Sequence, residues 1–189
     1  LVFILVLEGW NQMRPALMRL PAKPPAYQAV ISDSVQQAEK PHALALPLLR
    51  GDDLRAVMHR YLASLRQIRL VNGYSPILPN RYLEECFRPF ELLNTGTLST
   101  AQADDLLRRG IGYLLFHEDL FNSSGLGFPG APVLENLLNH PRLTCLASSQ
   151  SVWTFKILQT QSFSKTPVSL APLVFPAAPL ECEDAPLLE

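Results

Sequence analysis

The chain has 189 residues, enough for one ordinary domain with tails and for a core that holds without disulfides or metals. Charged residues make up 17% against a usual ~25%, and the formal net charge is -1. With no basic run to neutralise phosphates, nucleic acid is not an expected partner.

The first segment, Leu1-Val2-Phe3-Ile4-Leu5-Val6-Leu7, is wholly apolar and turns polar at Glu8-Gly9-Trp10. Seven helical residues at ~1.5 Å each cover about a third of a ~30 Å bilayer core, so this run does not cross a membrane alone. No basic stretch precedes it and no small-residue cleavage site follows, which sets it apart from a signal peptide. Trp10 suits a membrane interface. Residues 1–9 are therefore expected to be the end of a truncated transmembrane helix. The competing reading is a buried first strand or helix of a soluble domain. Residues 10–30 form a connector stiffened by Pro15, Pro21, Pro24 and Pro25, ending in a short helix around Ala26-Tyr27-Gln28-Ala29-Val30-Ile31.

An α/β domain is expected over residues 31–158. The apolar run His42 to Leu49 reads as a buried strand, with Pro47 marking its end or an edge. Asp52-Asp53 reads as an N-cap signal for an amphipathic helix with an apolar face of Leu54, Val57, Met58, Tyr61, Leu62 and Leu65. Ile68 to Asn72 is a second strand, closed by a turn at Gly73-Tyr74-Ser75-Pro76. A helix follows at about Asn80 to Leu93, which Pro89 kinks or ends. Ser99 and Gln102 form a capping box for a helix running to Arg109, with Gly110 at the position of a C-terminal cap. Ile111 to His117 is the strongest strand. A glycine-rich loop from Asn122 to Gly130, a helix from Pro132 to Asn139 and two antiparallel strands, Leu143 to Ala147 and Val152 to Leu158, complete the pattern. Alternating helices and short apolar strands predict a three-layer-like α/β domain, its small, partly parallel sheet closed by a C-terminal antiparallel hairpin. Residues 159–189 read as a disordered or loosely attached tail.

Cys86, Cys145 and Cys182 have no metal-binding spacing. Buried thiols are expected at Cys86 and Cys145, with a disulfide between them as the alternative. No cofactor and no metal site is expected. Gly125-Leu126-Gly127-Phe128-Pro129-Gly130 matches G-x-G-x-x-G in letters but does not directly follow a strand, so it reads as a loop rather than a dinucleotide cradle. Asn122-Ser123-Ser124 fits an N-glycosylation triplet, a pattern common by chance. The most enzyme-like cluster is His117-Glu118-Asp119, because ligands of open α/β sheets bind at strand carboxyl ends and an imidazole beside two acids suits acid–base work. Asn72, Gly73 and Tyr74 also end a strand, where Asn and Tyr suit hydrogen bonds to a sugar or phosphate and Gly73 permits close backbone approach.

The order of these segments resembles the soluble C-terminal domain of bacterial polytopic membrane glycosyltransferases, the mannosyltransferase-like group. The resemblance runs from residue 1 to about Leu158. It is carried by the apolar helix end, the connector with Pro24-Pro25-Ala26-Tyr27, the strand Ala43 to Leu48, Arg69-Leu70-Val71-Asn72-Gly73-Tyr74-Ser75, Leu107-Arg108-Arg109-Gly110 leading into Ile111 to His117, and Val152-Trp153-Thr154-Phe155-Lys156-Ile157. It implies an extracytoplasmic α/β domain on the bacterial inner membrane, joined to it through the N-terminal helix. It also implies transfer of a sugar from a polyprenyl-phosphate donor to a lipid or glycan acceptor. The family's catalytic acids lie near the start of the protein, so no catalytic residue is carried onto this chain. The candidate substrate-binding residues are Asn72, Gly73, Tyr74 and His117. Two alternatives stand beside this reading: a free-standing α/β enzyme with a His117/Glu118/Asp119 site, and a non-catalytic sugar- or lipid-binding module.

Overall fold

The computed structural model describes residues 25–35, 40–51, 53, 55–72, 75, 77, 80–123, 129–149 and 151–159. The apolar segment at residues 1–9, most of the connector, the tail beyond residue 159, Gly73 and Tyr74 lie outside the described residues. Among the described residues no helix is long and apolar enough to cross a membrane.

The elements follow in the order α1 (Pro25–Ser34), β1 (His42–Leu46), α2 (Ala56–Ser64) and β2 (Arg69–Leu70). Next come α3 (Asn80–Tyr82), α4 (Thr100–Arg108), β3 (Ile111–His117), α5 (Glu118–Ser123), α6 (Gly130–Asn139), β4 (Leu143–Ser149) and β5 (Val152–Ile157). The five strands form one sheet in the order β2-β1-β3-β5-β4. β1 runs parallel to β2 and β3, whereas β5 is antiparallel to both β3 and β4. The expected mixed sheet and closing hairpin are therefore present.

Strand periodicity builds the layers, because successive side chains point to opposite faces. Leu44, Leu46, Leu114 and Phe116 face one side, packing with Phe90, Leu93, Leu106, Val133, Leu134 and Leu137. Ala43, Ala45, Tyr113 and Leu115 face the other, against Ala26, Tyr27 and Val30 of α1 and Leu62 and Ala63 of α2. The small side chains of Ala43 and Ala45 leave room for these two helices. The end of the proline-rich connector is thus a core element: Ala26, Tyr27 and Val30 have no exposed surface.

Several local expectations hold. The capping box forms, with the Ser99 hydroxyl accepting from the Gln102 amide at 3.1 Å and the Gln102 side-chain oxygen accepting from the Ser99 amide at 2.9 Å. Gly110 follows α4 with φ 76°, the left-handed conformation that glycine adopts without penalty. β1 ends before Pro47.

Other expectations shift. The helix expected from Asn80 to Leu93 is short as an α-helix. It continues as a π-helical turn, Leu83–Phe87, and a 3-10 segment, Arg88–Thr95, where Pro89 supplies no backbone donor. Of the apolar set read from spacing, Leu62 is fully buried, Met58 and Tyr61 pack partly buried against the same cluster and Val57 is 42% exposed, while Leu54 lies outside the described residues; Ala56, His59 and Ala63 complete the buried face of α2. Cys86 and Cys145 are thiols, but only the first is partly buried and the second is exposed.

Candidate functional site

β1 lies between β2 and β3. The chain leaves β1 through α2 on one face of the sheet and reaches β3 through α4 on the other. The carboxyl ends of β1 and β3 therefore flank a topological switch point, the usual ligand position in open α/β sheets. His117 stands at the end of β3. Period-two alternation turns it toward the α1/α2 face, together with Tyr113 and Leu115. It is 2% exposed.

Three buried aromatic groups meet there. The Tyr27 hydroxyl is 2.8 Å from His117 Nε2, and the two rings meet edge-on with centroids 5.7 Å apart. The His59 ring lies over His117 at a centroid distance of 4.7 Å and an interplanar angle of 37°. His59 is fully buried, and neither of its ring nitrogens has a hydrogen-bond partner among the described residues. Burial pushes His59 down to about 4, with the Asp53 carboxylate pulling weakly the other way. Burial also holds His117 well below the ordinary histidine value, helped by His59 beside it. The Tyr27 hydroxyl is raised by burial and, secondarily, by the Asp119 carboxylate. Both imidazoles are therefore neutral near pH 7, and neither reaches solvent.

The acids next to His117 make no hydrogen bond to it among the described residues. Asp119 is exposed, whereas the Glu118 amide donates to the Ser151 carbonyl at 2.8 Å in the first turn of α5. Asp53 is held low by hydrogen bonds from Arg55, including one from Nε at 2.9 Å, against the opposing effect of burial. Among the described residues no group of three His, Cys, Asp or Glu side chains is placed to hold a metal ion.

Asn72 serves the sheet. β2 pairing continues through the Val71 amide, which donates to Ala43 O at 3.0 Å. Asn72 then turns its carboxamide onto Ala45: Oδ1 accepts from the Ala45 amide at 2.8 Å and Nδ2 donates to the Ala45 carbonyl at 2.7 Å. One side chain thus replaces the next rung of a parallel ladder. Asn94 holds Leu48, beyond the end of β1, with the same pair of carboxamide bonds, at 2.6 and 2.8 Å. Asn72 and His117 engage different partners, and Gly73 and Tyr74 lie outside the described residues.

A second polar group was not anticipated. Asp33 of α1 accepts from the Tyr113 hydroxyl at 2.8 Å and from Lys156 Nζ at 3.0 Å. Burial disfavours the charge on Asp33, but the bonds from Lys156 and Tyr113 outweigh it and keep the carboxyl below its usual range. Beside this group lies an open cleft of about 430 Å³ between Leu107, Gly112, Lys156 and Leu158. The pairings of Asp33 and Tyr27 carried no sequence signal, because their partners lie 80 to 123 residues away. His59 falls three and four residues before Leu62 and Ala63, which places it on their helix face once the structure shows that face to be buried.

No family model matches the chain, and no curated protein matches it. Among solved structures, its fold is similar to part of arabinofuranosyltransferase AftD from Mycobacteria, determined by single-particle cryo-electron microscopy. The match has a TM-score of 0.50 at 18% identity and covers 74% of this chain but 12% of that one.

Proposed function

We infer that this chain is the C-terminal extracytoplasmic domain of an integral-membrane glycosyltransferase of the bacterial inner membrane, one that moves a sugar from a polyprenyl-phosphate donor. The domain itself is non-catalytic and serves the acceptor side of the site or the stability of the membrane body. The observation that carries this reading is the fold likeness to a mycobacterial arabinofuranosyltransferase, in which the matched region is only 12% of the chain. A small α/β unit within a large sugar transferase is what the order of segments from Leu1 to Leu158 also resembles. The burial of His117 agrees with a non-catalytic role, because a general acid or base must reach the atom it protonates or deprotonates.

The test begins with the DNA upstream of the Leu1 codon. The expected result is an open reading frame with many apolar spans, whose product transfers labelled sugar from a polyprenyl-phosphate donor in isolated membranes. An open reading frame that starts within a few residues of Leu1 overturns the proposal.

A further inference from the structure

The buried Tyr27, His117 and His59 cluster has no part in sugar transfer as proposed above, and it combines two costly features. A buried polar atom without a partner is destabilising, and His59 carries two of them among the described residues. Two imidazoles with centroids 4.7 Å apart also cannot both carry charge in a dry interior without strong repulsion. What the cluster accomplishes structurally is attachment of α1. At the start of that helix, Tyr27 bonds to His117, the Ala26 amide donates to Ser149 Oγ at 3.0 Å, and Thr154 Oγ1 donates to the Ala26 carbonyl at 2.7 Å. At its far end Asp33 holds Lys156 and Tyr113.

We propose that this cluster is an acid-sensitive latch, holding α1 on the sheet while both imidazoles are neutral and releasing it when either one takes a proton from solvent. The groups that surround the imidazoles leave an arriving charge poorly compensated. From α1 comes Tyr27, and from the segment before α2 comes Asp53, whose two carboxylate oxygens are already bonded to Arg55 Nε. From α5 comes Asp119, which is exposed to water. β1 and β5 contribute Ala43, Ala45, Val152 and Thr154, none of them charged. In the released state the histidines regain their ordinary value near 6.5, so that state binds more protons below this pH. Docking is therefore intact above about pH 6.5 and weakens as the pH falls toward about 4, where docked His59 itself titrates. The Asp33 anchor persists through this window because its carboxyl stays ionised. The helix loosens first at its Tyr27 end.

Amide hydrogen exchange on the 189-residue chain between pH 7.5 and 4.5, corrected for the intrinsic rate, tests the latch. Because two histidines regain their ordinary value on release, protection of α1 is expected to fall by an amount approaching about a hundredfold per pH unit well below 6.5, while α6 on the opposite face keeps its protection. Unchanged α1 protection down to pH 4.5 overturns the proposal, and so does parallel loss in α1 and α6. His59→Leu should make the α1 profile shallower, whereas Tyr27→Phe should lower protection at every pH and leave the slope. Should either variant fail to fold, imidazole proton shifts of the unaltered chain decide. Both rings are expected to titrate well below the ordinary histidine value in the docked state, and titration of both near 6.5 there overturns the latch.

Discussion

The two faces of the sheet are made by alternate residues of the same strands, yet they hold their helices by different means. Leu44, Leu46, Leu114 and Phe116 present bulk to one side, where the Phe116 and Phe121 rings stack at 4.7 Å. Ala43, Ala45, Tyr113 and His117 present less volume and more polarity to the other, where α1 docks through hydrogen bonds to Tyr27, Ala26 and Asp33. Burial of apolar area is nearly indifferent to pH and tolerant of small displacements. Buried hydrogen bonds demand that every partner be in place and in the right protonation state. One face is thus a conventional core, and the other is a fastening that conditions can change.

Substitutions on the two faces should separate these behaviours. Phe116→Ala removes a fully buried ring from the apolar side and is expected to cost about 3–5 kcal/mol in chemical denaturation. The loss should be equal at pH 7.5 and 5.5, and a strongly pH-dependent loss would erase the contrast between the faces. Asn72→Ala orphans the amide and carbonyl of Ala45 on the β2 side of β1 and should cost about 2–4 kcal/mol. A loss below about 1 kcal/mol would mean that water replaces the missing rung. Thr154→Val keeps shape but deletes the bond to Ala26, for an expected loss of about 1 kcal/mol. That loss should appear as faster exchange in α1 alone, and an effect spread over α6 would show that the helix is not separately fastened.

Legibility followed contact range. The strand Ile111 to His117, the box at Ser99 and Gln102, and Gly110 were readable because each depends on residues a few positions apart. The turn of α2 about its axis was not, since Met58 and Tyr61 look more core-like than Ala56 and His59 until a partner surface of Ala43 and Ala45 is known. Helix α5, Glu118–Ser123, occupies what read as a strand end followed by a loop. There Phe121 is drawn into the apolar core against Phe116, a contact that no local pattern announces. At the candidate site, His117 was picked out by its position at a strand end, but the role suggested by two neighbouring acids depended on those side chains converging. The fold instead turns His117 inward and leaves Asp119 in water.

Local spacing and composition by themselves determined the α/β class and the positions of most elements, because periodicity and capping act over a single turn or strand. Tertiary structure alone decided that Asn72 closes a ladder, that the end of a proline-rich connector is core, and that His59, His117 and Tyr27 meet. Those outcomes depend on which surfaces segments far apart in the chain present to each other, and on the cost of leaving a buried donor, acceptor or charge without a partner.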